Sequence, residues 1–311
     1  MLMLAVTSAI FLPLLADGQV FGRLLRGTVA PVGLSVIVGA FIFGVGMQLG
    51  GGCASGTLYS AGGGSVRMLV TLAAFIAGSV VGVIHMPMWE AAPAVAPTTL
   101  LATLGLAPAM AASFGLFGAV AMGSVIIERR RHGFLEEPRK PASILFGPWP
   151  LVAGALGLAV INVATLLLAG RPWGVTSAFA LWGSKITAAA GVDVGAWPYW
   201  QSASRAAELQ AGVLEDVTSV MDFGIVLGAL AAAGLAGRFA PTWRVPFRSL
   251  LAAIAGGLML GYGARIAYGC NIGAYFSGIA SSSVHGWVWF AAAFAGNIAG
   301  TKFRPWFGLR V

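Results

Sequence analysis

Long apolar stretches separated by brief polar breaks run the length of this chain. They cover Met1–Ala16, Val32–Met47, Met68–Ile84, Ala109–Ile127, Leu151–Ala169, Phe223–Ala236, Leu250–Leu260 and Trp287–Ala299. Several are shorter than the roughly 20 residues that span a bilayer core. Flanking residues extend some of them to full length. Those that end shortly before Cys53 and Cys270 read instead as half-helices that stop inside the membrane. Glycines cluster at both places, and glycine permits the backbone turns at which a helix breaks. The pattern predicts an all-α, polytopic integral membrane protein.

Composition sharpens the picture. Hydrophobic residues make up 58% of the 311, charged residues 9%, and the mean hydropathy is +0.88. A soluble domain has about a quarter of its residues charged, so this chain has no water-compatible surface to present. Its 45 glycines suit close approach between membrane helices. The net charge of +8 is better explained by the positive-inside rule than by nucleic acid, because the basic residues are scattered along helix ends. Glu128-Arg129-Arg130-Arg131-His132 through Pro138-Arg139-Lys140 is the one strongly polar linker. It divides a first membrane repeat (1–127) from a second (146–311) as a cytoplasmic linker over 128–145. Arg23, Arg26, Arg238, Arg244 and Arg248 mark other cytoplasmic ends. No basic residue precedes the first apolar run, which argues for an outside N-terminus and against a standard signal peptide. The expected location is a bacterial-type inner membrane.

The repeat is written in the glycines and in the only two cysteines. Aligned on Cys53 and Cys270, residues Gly39, Gly44, Gly46, Gly52, Gly56 and Ser60 fall on Gly256, Gly261, Gly263, Gly269, Gly273 and Ser277 without a gap. With one residue inserted, Val66, Ala73, Ala74, Ala77, Gly78 and Gly82 match Val284, Ala291, Ala292, Ala295, Gly296 and Gly300. Compositional bias explains some of these matches but not the spaced cysteines. The crossing count depends on Gly174–Lys185: the repeats are inverted if it is re-entrant and parallel if it crosses. Inverted repeats whose broken helices meet near the midplane are a common transporter plan, and that is the expectation here.

A single free cysteine is usually a small buried hydrophobe. Two at matched positions of two repeats ask for more. Metal is a poor fit, since two thiols without His or acidic partners do not complete a tetrahedral soft site; no metal or cofactor is expected. A helix broken at Gly50–Cys53 leaves N–H groups free at the start of the next short helix, near Ser55–Thr57, and these favour an anion. Thiols and the hydroxyls of Ser55, Thr57, Ser60 and Ser277 add weak donors suited to a polarizable, sulfur-containing anion. Hard anions more usually recruit Arg or Lys directly. Nothing pairs the acidic residues as an acid–base couple, and Glu208, Glu215, Asp216 and Asp222 read as solvated surface. With no Walker motif, the chain reads as a non-enzyme that does not itself use ATP.

The segments Gly46-Met-Gln-Leu-Gly-Gly-Gly-Cys-Ala-Ser-Gly-Thr-Leu and Gly261-Tyr-Gly-Ala-Arg-Ile-Ala-Tyr-Gly-Cys-Asn-Ile-Gly-Ala resemble the sulphur-transport membrane family of YeeE/YedE-type permeases. The resemblance extends to Trp173-Gly-Val-Thr-Ser-Ala-Phe-Ala-Leu-Trp-Gly and Phe294-Ala-Gly-Asn-Ile-Ala-Gly. It implies thiosulfate uptake through an hourglass-like protein, with short inner helices carrying cysteines at the waist and the anion passed between thiols by S–H hydrogen bonds. Cys53 and Cys270 match the two central positions. By the same resemblance Gly52, Ser55, Gly56, Thr57, Gly269, Asn271 and Gly273 belong to the relay, and a small cytoplasmic sulfurtransferase or sulfur-carrier protein is a partner. Such proteins can carry a further cysteine near the N-terminus, absent here, which leaves a two-thiol rather than a three-thiol relay. Trp173–Lys185 has no counterpart ahead of the first repeat, as if that repeat were shorter or began late. The alternatives are another sulfur or selenium species as cargo, a membrane redox protein cycling a Cys53–Cys270 disulfide or carrying persulfide, and a structural subunit of a larger assembly.

Arg265, five residues before Cys270, is a charge inside an apolar run, which in membranes marks function; its repeat counterpart is Gln48. Arg67 and His285 hold equivalent places after the short helices, and Lys185 and Arg171 flank the re-entrant candidate. Each either attracts the anion or anchors a helix end. Asn271 and Asn297 are candidates for hydrogen bonds between helices. Trp197, Tyr199, Trp200, Trp287 and Trp289 are expected in interfacial belts.

Overall fold

The computed structural model describes residues 1–135 and 149–309. The chain folds into helices α1 (Leu2–Asp17), α2 (Leu34–Gly50), α3 (Ala54–Gly62), α4 (Val66–Glu90), α5 (Leu100–Leu104), α6 (Leu106–His132) and α7 (Leu151–Ala169). It continues through α8 (Thr176–Ala189), α9 (Ala203–Gln210), α10 (Val217–Leu235), α11 (Phe247–Ile266), the single turn α12 (Gly278–Ala280) and α13 (Val284–Phe303). Strand pairing among the described residues is confined to two antiparallel pairs, Gln19–Val20 with Arg23–Leu24 and Val32–Gly33 with Ala94–Val95, and one isolated bridge. The charged linker expected at 128–145 begins as the last turn of α6, and its part from 136 lies outside the described residues.

Among the described residues, six stretches are long and apolar enough to cross a bilayer: Leu34–Gly62, Val66–Glu90, Leu106–His132, Leu151–Ala169, Val217–Leu235 and Phe247–Ile266. The protein is therefore a multi-pass, all-helical membrane protein. Large apolar side chains such as Leu151, Leu168 and Leu235 stand exposed on these helices, an arrangement that lipid tolerates and water does not. The first stretch is not one helix. It stops at Gly50, turns through Gly51 at φ 93°, and restarts at Ala54. That φ is open to glycine and strained for other residues.

The helices form two compact units. One contains Met1–Ala30, Pro97–Trp173 and Phe276–Val284. Its core joins Phe11, Leu25, Leu166 and Ala280. A buried polar knot ties its segments: Asn162 Nδ2 donates to Ser277 Oγ (3.2 Å), Trp173 N–H donates to Asn162 Oδ1 (2.8 Å), and Ser277 Oγ donates to the Trp173 carbonyl (2.9 Å).

The other unit contains Pro31–Ala96, Gly174–Tyr275 and His285–Val311, and it holds both cysteines. Its helices approach through glycine. A Cβ placed on Gly39 would lie 2.8 Å from the Gly263 carbonyl, and one on Gly46 would lie 3.0 Å from the Gly256 carbonyl. Rising numbers on α2 meet falling numbers on α11, so these two helices run antiparallel. Gly257 meets Thr71, Gly261 meets Gly78 and Ser79, and Arg265 meets Gly82, so α11 and α4 run parallel. Gly44 meets Ala293, Gly296 and Asn297, while Gly300 meets Val45 and Gln48, which makes α2 and α13 parallel as well. Side chains of ordinary size would hold such helices 8–10 Å apart. At the centre Phe43 packs on Phe75 and Trp289, and Phe75 on Phe179, with ring centroids 6.3, 5.5 and 4.8 Å apart.

The aromatic belt expected from sequence is not formed by three of its members. Tyr199, Trp200 and Trp289 are buried inside this unit. The Trp200 indole donates to Ser184 Oγ (3.1 Å), a partner that makes an interior position as favourable as the interface. Two of the four acids read as surface are buried too: Asp216 and Asp222, at 8% and 0% exposure.

Candidate functional site

The two cysteines occupy like places in the chain. In the first half the order is α2, Gly51-Gly52, Cys53, then α3 of nine residues. Cys53 is the extended N-cap of α3, half-buried, with its sulfur 3.4 Å from Ser55 Oγ. Its carbonyl accepts two hydrogen bonds from Thr57, one from N–H and one from Oγ1, both 2.8 Å. Thr57 is thereby engaged in closing the turn and is fully buried. Gly56 lies beside the thiol, where a Cβ would make an ordinary 3.7 Å contact with the Cys53 sulfur. Gly52 faces the backbone of Gly56 and Thr57.

In the second half α11 ends at Ile266. Tyr268 at φ 60° and Gly269 at φ 146° turn the chain, and Cys270 follows. Gly269 is required twice over: its φ belongs to glycine, and a Cβ would stand 2.8 Å from the Ala274 nitrogen. The short segment after the thiol is a π-helical turn, Asn271–Ser277, not an α-helix. Its signature is the Tyr275 N–H to Cys270 carbonyl bond at 3.3 Å beside the ordinary one from Ala274 at 2.8 Å. Single π turns recur at functional sites. The backbone N–H groups of Ile272 and Gly273 point at the Cys270 sulfur, which is fully buried. Asn271 Oδ1 is buried without a hydrogen-bond partner. Cys53, together with Ile225 and Val226 of α10, packs against the buried apolar core that contains Cys270. The two thiols therefore border one apolar core, and both are free.

The charged candidates divide differently. Arg67 holds the last carbonyls of α2: Nη1 donates to Gly50 O (2.7 Å), Nη2 to Leu49 O (2.6 Å), and Nε to Ser249 Oγ (2.9 Å). Lys185 Nζ donates to the Leu209 and Ala211 carbonyls, each at 2.7 Å. Both are helix-end anchors in this conformation. The Arg265 guanidinium lies over the Tyr199 ring, 5.4 Å from its centroid. His285 is fully buried in the first turn of α13. Asn297 accepts from Gln48 Nε2 at 2.8 Å, linking α13 to α2 as expected. Ser277 belongs to the other unit, where its hydroxyl is engaged in the knot described above.

Two features escaped the sequence reading. Arg304 donates to Gln48 Oε1 (3.0 Å), which brings a guanidinium beside α2. With Arg67, Gln48, Gly51, Gly52, Asn297, Met47 and Leu309 it lines a cavity of 420 Å³. Its only signal is being the first arginine beyond the last apolar run. Asp222 is the other. Its apolar run starts at Phe223 in the sequence, but α10 begins at Val217 and encloses it.

The sulphur transport family matches residues 1–299. The chain belongs to that family. Its similar proteins include the probable transporter YedE of Salmonella typhimurium and of Escherichia coli. Each is 32% identical over 165 residues, 52% of this chain and 37% of the relative, so the chain spans little more than a third of their length. The thiosulfate transporter TsuA of Spirochaeta thermophila is 31% identical over 273 residues, 81% of this chain and 72% of TsuA. Family and helices together make this member of the sulphur transport family a multi-pass inner-membrane protein.

Proposed function

We propose that the chain is a permease for a sulfur-containing anion, thiosulfate, which passes the thiols of Cys53 and Cys270 in turn. The observation that carries the reading is that the only two thiols border one apolar core, each where a glycine-broken helix restarts. A neutral thiol donates one weak hydrogen bond to a soft sulfur atom, and a conduit needs stations the ion can leave. The similarity to a protein named as a thiosulfate transporter supports this cargo over other sulfur or selenium species. A small cytoplasmic sulfur-carrier protein is the partner class we propose for the released anion.

We read the two halves as an inverted repeat. Support comes from the antiparallel run of α2 against α11, which are counterparts in the alignment. The alignment also turns the neighbours of Gly44 (Ala293, Gly296 and Asn297) into those of Gly261 (Phe75, Gly78 and Ser79). The pairs Gly82–Arg265 and Gly300–Gln48 exchange in the same way.

Uptake of labelled thiosulfate into vesicles containing only this protein tests the function. Cys53→Ala and Cys270→Ala are each expected to abolish or strongly reduce uptake at unchanged expression, and Cys→Ser to retain part of it. Normal uptake in both alanine variants would make the cysteines packing residues. A persulfide or mixed disulfide trapped on either cysteine by mass spectrometry during uptake would favour covalent relay instead.

A further inference from the structure

We infer that Asp222 is a proton-carrying group that couples anion movement past Cys270 to proton movement in the same direction; the inference rests on the permease reading above. Asp222 lies in the membrane helix α10, is 0% exposed, and neither carboxyl oxygen has a hydrogen-bond partner. Helix α10 packs on α3 and α8. The titratable or charged groups on and around these elements are Asp216 on α10 itself, Cys53 and Tyr59 at α3, Lys185 on α8, and Cys270. None neutralises Asp222. Asp216 caps α10, accepting from the N–H groups of Thr218 and Ser219 and from Ser219 Oγ. Lys185 is held by two carbonyls. Tyr59 is exposed.

A carboxylate with neither donor nor cation in an apolar interior is a very costly state, so the group carries its proton in this conformation. Ile225 and Val226, one turn along the same helix, pack on the apolar core that contains Cys270. An ionised Asp222 therefore repels an anion from the thiol, and a protonated one admits it. Binding free energies are linked reciprocally: a bound anion strengthens proton binding at Asp222, and the proton strengthens anion binding at Cys270. In a full cycle the carboxylate takes one proton from the side of uptake, forming the acid. It releases that proton on the other side when the anion leaves, regenerating the carboxylate. One proton moves per turnover, and no other reactant is consumed.

The test uses the full chain in proteoliposomes with labelled thiosulfate and the membrane potential clamped. For one proton per anion, a gradient of one pH unit, acid outside, raises the accumulation ratio about tenfold. Asp222→Asn mimics the protonated state, so it should lose the gradient response while exchange of labelled for unlabelled anion persists. Asp222→Glu should keep the response. Wild-type uptake that ignores the gradient overturns the inference and leaves the permease reading standing, as does an Asp222→Asn variant that still responds. Should Asp222→Asn lose exchange too, proton flux decides: alkalinisation of the outer medium by wild-type vesicles on thiosulfate addition supports the coupling, and its absence overturns it. No uptake by wild type in any condition overturns both readings.

Discussion

Arg67→Lys separates two roles that share one charge. If Arg67 attracts the anion, lysine keeps most of the effect. If it anchors the break before Cys53, lysine fails, because an ammonium is a point charge and cannot make a planar fork. The fork is what the structure shows, with bonds of 2.6, 2.7 and 2.9 Å to Leu49, Gly50 and Ser249. Hydrogen bonds to charged groups contribute about 1.5–3 kcal/mol each. Lysine keeps one of the three, and water from the adjoining cavity compensates part of the loss, leaving a net cost of about 2 kcal/mol. That corresponds to a drop in melting temperature of roughly 4–8 °C in detergent. The same loss frees the Gly51–Cys53 turn, so maximal uptake should fall about tenfold while the half-saturating thiosulfate concentration stays near wild type. Thermal unfolding of the purified variant and initial-rate uptake are the two assays. A lysine variant with unchanged melting temperature and maximal uptake, beside an Arg67→Gln variant that loses only affinity, would refute anchoring.

The remaining expectations concern packing and access. Gly261→Ala forces a methyl group against Ser79 N at 2.5 Å and Gly78 C at 2.8 Å, and should lower stability by about 2–3 kcal/mol as other overpacked sites do. Gly115→Ala, inside α6 with open space around it, is the matched control and should not lower the unfolding temperature. Asn162→Leu removes a buried donor and acceptor that join Trp173 and Ser277, leaving polar groups unpaired at a cost of about 2–4 kcal/mol; an unaltered melting curve would sink that account. A maleimide should label Cys53, half-buried, at least about tenfold faster than Cys270, fully buried, because reaction needs access to the thiolate. Equal rates, followed by mass spectrometry, would contradict the burial described.

Much of this arrangement is legible in sequence because membranes restrict the options. Apolar runs can only be helices there, and glycine clusters mark their breaks. The matched cysteines mark the candidate site because they are the only two thiols in the sequence. The roles of polar side chains were less readable, since they depend on neighbours far along the chain. Thr57, Lys185 and Arg67 satisfy backbone carbonyls, and only the fold reveals which. Aromatic residues misled for a related reason. Tyr199 and Trp200 have the composition of an interfacial belt, yet Trp200 finds Ser184 and Tyr199 lies beneath the guanidiniums of Arg205 and Arg265. Asp222 was misplaced by one residue of boundary. Placing it at the polar edge of an apolar run makes it surface; starting the helix at Val217 puts it inside, where a lone acid demands a function.

The repeated motif yields thiols in unlike surroundings, and the reason lies in the segment without a counterpart. On the inverted-repeat reading, helices α2, α3 and α4 answer to α11, the π turn with α12, and α13 in chain order. Within the unit that holds both thiols, α8 and α10 are additional, and they pack on α4 and α3. Their arrival puts a buried acid, Asp222, on a helix that packs on the core around Cys270, while the break before Cys53 opens on a cavity lined by Arg67 and Arg304. On the permease reading this difference has a consequence. Two identical stations related by symmetry would hold an anion equally and give it no preferred exit. A cationic cavity ahead of one thiol and a titratable carboxyl near the other make the two stations unequal, and protonation of a single group changes the difference between them. Direction then arises from what surrounds the motif, not from the motif itself.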